Sequence, residues 1–526
     1  MDKMAGCFSS GSTILQGGVS VLYFVNDYFV ALNSGIEHAE IKRAQLFKHQ
    51  GIAAKIVTQS YNSMQYANKM RFGLSQDQVI NMYDYFQGIV DLIPKANKRP
   101  TIATLNLAAD YNVLPGNNVS RVYDGDRLVM DVHFIDGTVG QLGYVDHFDQ
   151  FGKKVLRVLW DYRGFKSREE FYSGNGDLVG RITYNPAGKR IVEEYFALNK
   201  DNQLYLSSLQ LVNYRQQTLY FTSHTSLFSF FLDELNRQGG DQAAFIADRP
   251  GIAYDAVLAM QTKAPKYVSI PTTHTVNPKD QVSADLAGIY ANALVKQVNQ
   301  LTGIIVATEA QKQDLLSWFG GKHSPVSVFV ISQIVVPDQI AQAAPVLLAK
   351  RHYHEVIVVG HLTKERQTDQ VITAFQQIYE LVPDARLLIY GYGDQQKALT
   401  EQIKQAGLED VVFLKGYQPD LRQVYDQAWL YINTSSGDSQ PLALGEALSH
   451  GVPAIAYRFN YGPADLIQNG VNGYLIENDD ISKLAQQMLH VLTDDSRWQT
   501  LSHNAYISMA AYTETNVMAK WQFISK

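Results

Sequence analysis

Continuous apolar runs alternate with helix-period patterns at both ends of the chain, and a long stretch of short-range alternation separates them. Toward the C-terminal end, Val356-Ile357-Val358-Val359-Gly360 has the length and uninterrupted apolarity of a buried strand. Polar residues follow, His361-Leu362-Thr363-Lys364-Glu365-Arg366. Val371, Ile372, Phe375, Ile378 and Tyr379 then mark one face of an amphipathic helix. Leu387 to Tyr390 and Val411 to Leu414 predict two more strands, ending at Gly391-Tyr392-Gly393-Asp394 and Lys415-Gly416-Tyr417. Near the N-terminal end, Val19 to Val25 predicts a strand. Asn33 to Glu40 reads as a loop, Ile41, Ala44, Leu46 and Phe47 as a helix, and Ala53 to Val57 as a second strand. The same texture resumes at Phe221. Ala244 to Asp248, Tyr267 to Ile270 and Gly303 to Ala307 predict strands, and Thr308 with Gln311 has capping-box spacing at the start of a helix. Strands alternating with helices predict doubly wound parallel sheets.

Residues 98–220 differ. Arg121-Val122-Tyr123, Leu128 to Val132, Val155 to Trp160, Glu169 to Tyr172 and Leu204 to Leu206 alternate between apolar and polar. Gly125-Asp126, Asn175-Gly176-Asp177, Pro186-Ala187-Gly188 and Lys200-Asp201-Asn202 separate such segments as turns. This predicts an antiparallel β-meander inserted into the first α/β half. It carries no phosphate loop, and its expected role is to present surface to a partner or a polymeric acceptor; a plain scaffold extension also fits the pattern.

Bulk properties narrow the classes. The chain has 526 residues, long enough for several domains. With 46% hydrophobic and 18% charged residues it is not of disordered type. A net charge of −6 argues against a general nucleic-acid binder. The single cysteine, Cys7, excludes an intramolecular disulfide and a cysteine metal cluster. There is no apolar run of membrane-spanning length and no apolar core of a signal peptide in the first twenty residues. The expectation is a cytoplasmic protein, with association at the membrane surface through a partner left open. Residues 1–18, rich in Gly and Ser, are expected to be a loose extension.

The richest stretch is Ser435 to Pro453. Ala428 to Ile432 reads as a strand before it, Ser435 to Gln440 as a loop, and Ala454 to Tyr457 as a strand after it. Pro441 suits the first position of a helix and Gly451 the position just past its end. Loop amides and a helix N-terminus above the carboxyl end of a sheet favour a bound anion, most often phosphate. Asp438 and Glu446, eight residues apart, bracket the loop and the first helical turns. A generic strand–helix–strand unit with two solvated acids would read the same way locally.

This stretch resembles the donor-sugar motif of the retaining glycosyltransferases of family 4, whose fold is GT-B and whose pattern is Glu, seven residues, Glu. The resemblance covers most of residues 20–526. It implies an α/β GT-B fold with two Rossmann-like domains and an inserted antiparallel β-meander domain. Residues 19–97 and 221–340 would form the N-terminal acceptor-side domain and 98–220 the insert. Residues 341–505 would form the nucleotide-sugar domain and 506–526 a terminal helix returning to the first domain. By the resemblance, Gly35 matches a glycine loop whose amides approach the donor diphosphate. Gly416 and Tyr417 match the uracil-binding turn, and Glu446 the residue that holds the ribose. Ser439, Gln440, Pro441, Leu442 and Ala443 line the donor, His274 is the candidate neighbour of the hexose, and Asp438 is the first acid. His361 and Arg366 stand where the family has an Arg and a Lys that stabilise the leaving diphosphate. Arg366, counted with Asp438 and His274 among the catalytic candidates, keeps the charge in a fork suited to phosphate. His361, with an ordinary pKa of about 6.5, does not keep it fully near neutrality. No metal or other cofactor is expected, because fixed cations and helix amides can stabilise a leaving diphosphate.

Within the family, two groups resemble the whole pattern: wall teichoic acid poly(glycerol or ribitol phosphate) α-glycosyltransferases, and transferases that place N-acetylglucosamine on Ser and Thr of serine-rich adhesins. Ser34-Gly35-Ile36-Glu37-His38-Ala39 is similar to the second; Leu414 to Tyr417 and Tyr461-Gly462-Pro463 are similar to the first. The implied function is transfer of a hexose or N-acetylhexosamine from a UDP-sugar to a cell-surface protein or teichoic acid. The implied partners are UDP-sugar, the acceptor, and a second copy or a second glycosyltransferase-like subunit. The two departures, Asp438 and His361, keep an alternative open: a catalytically impaired partner subunit that binds acceptor or stabilises an active transferase. A nucleotide-sugar phosphorylase or sucrose synthase-like enzyme on the same fold gains nothing from the β insertion.

Overall fold

The computed structural model describes residues 20–95, 99–321 and 324–522. Val19, Cys7 and the rest of the expected extension lie outside the described residues, as does the end of the chain after Gln522. Three sheets organise the molecule. The first is parallel and seven-stranded, in the order Ser327–Val330, Gly303–Val306, Lys266–Ser269, Ala243–Ala247, Val21–Asn26, Ala54–Thr58, Val79–Asn81. The second is parallel and six-stranded, in the order Val412–Gly416, Arg386–Tyr390, Glu355–Val359, Leu430–Asn433, Ala454–Tyr457, Gly473–Ile476. In both, the strand that begins the unit lies in the interior and the order reverses beside it, the topological switch that puts a binding crevice above the carboxyl ends. Their interior strands are continuous apolar runs because helices cover both faces.

Between them in sequence lies a ten-stranded antiparallel meander, from Tyr111–Leu114 to Gln217–Phe221, with each strand beside its neighbour in the chain. Gly125-Asp126 is a two-residue hairpin turn, joining Asp124 to Arg127. Five strands were not apparent from alternation: Tyr111–Leu114, Leu142–Phe148, Leu178–Tyr184, Arg190–Leu198 and Gln217–Phe221. Charge hides the pattern in some of them. Glu194 is buried in its strand, where His224 Nε2 lies 2.8 Å from its Oε1. Burial opposes its ionisation, but His224 and Arg168 hold the carboxyl down at about 2.

The insert shares its core with the first domain. Val192, Leu209 and Leu211 pack in one cluster with Tyr83, Phe228 and Phe231. A buried guanidinium adds a polar tie. Arg163, with 0% of its side chain exposed, bonds Asp84 through both terminal nitrogens (3.0 and 2.8 Å), Asp161 Oδ1 at 2.6 Å, and the Ile89 carbonyl at 2.9 Å. The chain end crosses back as well. Helix Glu514–Lys520 lies against helix Gly35–His49, and Trp521 sets its ring edge-on to Phe24 (5.8 Å) and Phe47 (5.5 Å).

Two local expectations are corrected. Asn33 to Glu40 is not a loop throughout, because the first-domain helix already runs from Gly35. Ser34 caps it: its N–H and hydroxyl both donate to Glu37 Oε2, at 2.8 and 2.7 Å. The Ser-x-x-Glu signal was present in the sequence. Pro441 precedes the helix Leu442–Ser449 rather than opening it, while Gly451 sits just beyond its end at φ +68°.

Candidate functional site

The two parallel sheets point their carboxyl ends at a common cleft, and side chains from both domains meet there. On the second-domain side the loop after Leu430–Asn433 is held from three directions. The Thr434 hydroxyl donates to the Arg366 carbonyl at 2.9 Å, Ser436 N–H to the Glu365 carbonyl at 2.9 Å, and Asp438 N–H to the Asn460 carbonyl at 3.1 Å. A small hollow opens beside it, lined by Gly360, His361, Arg366, Tyr431 and Ser435 among others. The backbone comes close here: a Cβ on Gly391 (φ +147°) would lie 1.8 Å from the Gly360 carbonyl oxygen.

Asp438 and Arg366 are brought together. Arg366 Nη1 donates to Asp438 Oδ2 and to Ser435 Oγ, each at 2.9 Å, and Ser439 N–H donates to Asp438 Oδ1 at 2.8 Å. The Asp438 carboxylate raises the Arg366 pKa further against the effect of burial. His361 faces the same hollow with its ring 4.5 Å from that of Tyr392. Burial, and then Arg366, lower its pKa, which disfavours the charged imidazolium. On the expectation that this hollow takes the donor diphosphate, His361→Arg is expected to tighten UDP binding about tenfold, by about one charge-assisted hydrogen bond. Titration calorimetry measures it; an unchanged affinity would mean that position 361 does not face the diphosphate.

Glu446 projects from helix Leu442–Ser449 with Leu442 and Ala443, all three half-buried. Its Oε2 accepts from the Tyr425 hydroxyl at 2.7 Å, and its Oε1 from Lys42 Nζ, which reaches across from the first domain. Burial alone would raise this carboxyl; Lys42 and Tyr425 outweigh it and hold it below the ordinary range. Gly416 turns at φ +69°, and Tyr417 after it also crosses the cleft, its hydroxyl 3.1 Å from His38 Nε2. Tyr392 donates to the Leu32 carbonyl at 3.0 Å.

The other expected residues lie as follows. Gly35 opens its helix at the cleft, and a Cβ there would meet nothing within 4 Å. His274 is fully buried in the loop after Lys266–Ser269, edge-on to Trp318 at 6.3 Å, and neither ring nitrogen has a hydrogen-bond partner among the described residues. That loop meets the loop after Ala454–Tyr457, where Asn460 Nδ2 donates to the Pro278 carbonyl at 3.2 Å. Ser439 Oγ is likewise buried without a partner. Gln440 is differently employed: its Oε1 accepts from Ser332 Oγ and Gln333 N–H, both at 2.9 Å, so its side chain joins the domains instead of facing the hollow. Pro441 is buried against Gly462. Beneath the Gly35 helix lies a buried charge network in which Arg249 pairs with Glu37 and Arg43 with Asp248. Burial pushes the nearby Asp27 up to about 6.

Lys42, His38 and Tyr425 were not singled out as site residues from the sequence. His38 and Lys42 share a helix face four residues apart, but no local pattern says what that face meets. Among the described residues no group of three His, Cys, Asp or Glu could hold a metal ion, and no helix is long and apolar enough to cross a membrane.

Residues 342–508 match the family described as Glycosyl transferases group 1. The poly(glycerol-phosphate) alpha-glucosyltransferase of Bacillus subtilis is 25% identical over 382 residues, 69% of this chain but only 54% of that protein. The GtfA subunit of the UDP-N-acetylglucosamine–peptide N-acetylglucosaminyltransferase of Streptococcus gordonii is 24% identical over 510 residues, 94% of this chain and 96% of that protein. The pneumococcal O-GlcNAc transferase GtfA, solved in complex with UDP and GlcNAc, superposes with a TM-score of 0.80 at 19% identity, over 96% of this chain and 98% of that one. The fold is GT-B with an inserted β-sheet.

Proposed function

We propose that this chain, whose residues 342–508 are a glycosyl transferases group 1 domain, is a retaining glycosyltransferase. It moves a hexose or N-acetylhexosamine from a UDP-sugar to a cell-surface acceptor, either Ser/Thr of a serine-rich protein or wall teichoic acid. The observation that carries the reading is the convergence of Asp438, Arg366 and Glu446 at the cleft around the start of helix Leu442–Ser449. In this reading Glu446 holds the ribose hydroxyls. The amides at the helix start and the Arg366 guanidinium take up the negative charge that grows on the diphosphate as the glycosidic bond breaks. Asp438 positions Arg366 and borders the transferred sugar. The relatives' names support both acceptor classes.

The test is mass spectrometry of the purified chain incubated with UDP-glucose or UDP-N-acetylglucosamine and either a Ser/Thr-rich peptide or a teichoic polymer. One sugar added to one acceptor establishes the transfer and names both substrates. Asp438→Ala is expected to keep UDP affinity within about threefold and lose at least about a hundredfold in transfer, since a misplaced positioning group costs that much. An active Asp438→Ala enzyme would remove Asp438 from the mechanism.

A second reading has its own observation. His361, its pKa lowered by burial, stands where the resemblance has a cation, and Asp438, one methylene shorter than Glu, is engaged by Arg366. These favour a catalytically impaired partner subunit that binds acceptor or stabilises an active transferase. Transfer seen only when a second glycosyltransferase-like chain is co-expressed would decide for it.

A further inference from the structure

One face of the first-domain helix Gly35–His49 meets two second-domain elements. His38 and Lys42, four residues apart, stand on that face. His38 Nε2 lies 3.1 Å from the Tyr417 hydroxyl, and Lys42 Nζ bonds Glu446 Oε1. Tyr417 and Glu446 are the residues that the nucleotide-sugar reading assigns to the base and the ribose. The inference rests on that reading.

We propose that Lys42 is a positioning residue for the nucleotide half of the donor: it crosses the cleft to hold the Glu446 carboxylate in the orientation that receives the ribose hydroxyls, so that the first domain completes the nucleoside pocket.

The geometry supports this over a blocking contact. Lys42 occupies one oxygen of Glu446 and Tyr425 the other, yet each carboxylate oxygen can accept a second hydrogen bond. Both side chains stay partly open to the cleft, Lys42 at 23% and Glu446 at 26% exposure. A carboxylate pinned at both oxygens loses little rotamer freedom when a ligand arrives, and that saving appears as affinity. Removing the ammonium frees the side chain to rotate and leaves Tyr425 as the single anchor. The contact also links the domains, together with the Tyr392–Leu32 hydrogen bond.

The experiment is titration calorimetry of the full chain with two probes, UDP and 2′,3′-dideoxyuridine diphosphate. Lys42→Ala is expected to weaken UDP up to about tenfold, the upper end of the cost of immobilising one side chain on binding, and Lys42→Arg to recover most of it. The dideoxy probe is expected to bind both the wild type and Lys42→Ala with the same low affinity, since it lacks the hydroxyls that Glu446 receives. A merely structural role would weaken both probes alike and would overturn the inference. Unchanged or tighter UDP binding by Lys42→Ala would overturn it too, leaving the donor reading intact. Failure of the wild type to bind UDP would sink the donor reading, and this inference with it.

Discussion

Glu446→Ala is expected to weaken UDP by at least about a hundredfold, beyond detection in an ordinary calorimetric titration. Two effects add. The ribose hydroxyls lose a charged acceptor, and hydrogen bonds to charged groups are worth about 1.5–3 kcal/mol each. The Lys42 ammonium and the Tyr425 hydroxyl lose the partner that orients them across the cleft. Tyr425 is buried, so its orphaned hydroxyl costs about 1–3 kcal/mol of folding stability, in the free and the bound protein alike. The fold itself should persist, because Glu446 is half-buried at the cleft and the helix core is carried by Leu444, Ala447 and Leu448. Equal UDP affinity in wild type and Glu446→Ala would show that the ribose lies elsewhere. Sugar transfer should vanish in the same variant; transfer retained with binding lost would point to an acceptor-driven reaction that this site does not explain.

The second large effect concerns stability. Arg163→Ala is expected to cost about 3–5 kcal/mol, the range for removing one member of a buried ion-paired group. The arginine is fully enclosed and satisfies two carboxylates and a main-chain carbonyl. Burial alone would lower its pKa, but Asp161 and Asp84 outweigh that and keep it charged. Without it, Asp84 and Asp161 are left as uncompensated buried acids on two sides of the junction between insert and first domain. Loss of thermal stability of roughly ten degrees is the expected readout. Hydrogen exchange should localise it to residues 82–93 and 158–168. A melting temperature within about one degree of wild type would mean that the apolar cluster around Phe228, Phe231 and Leu211 holds the insert alone. The active-site variants are expected to leave this transition in place, which separates the two kinds of failure.

Legibility from the sequence followed the range of the interaction. Helix Thr368–Tyr379 was clear because Val371, Ile372, Phe375 and Ile378 repeat at the helical period and all are buried. The strands of the second domain were clear because both their faces are covered, leaving apolar runs without polar interruption. The meander was half visible. Its turns stood out through Gly, Asn and Asp, but strands such as Arg190–Leu198 bury Glu193 and Glu194 on opposite faces, each against a basic partner, and this breaks the alternation. The start of the first-domain helix carries its own signal, since Ser34 and Glu37 form a capping pair, but the glycine between them is equally the mark of a loop.

At the site, the local motif from Ser435 to Gly451 gave the loop, the helix and the two acids, since strand, cap and helix are decided within a few residues of chain. The positions at which cations were to be sought, 361 and 366, came from the family resemblance and not from this motif. The motif did not show that Arg366 bonds Asp438, that Gln440 turns toward Ser332 and Gln333, or that His274 is fully enclosed with both nitrogens unpartnered. The clearest instance is Lys42 with Glu446, 404 residues apart in the chain. Periodicity and capping act over one or two turns and settle which face a residue occupies. What that face meets is decided only when two separately formed domains close on each other, and here that closure brings the first domain's lysine to the second domain's carboxylate.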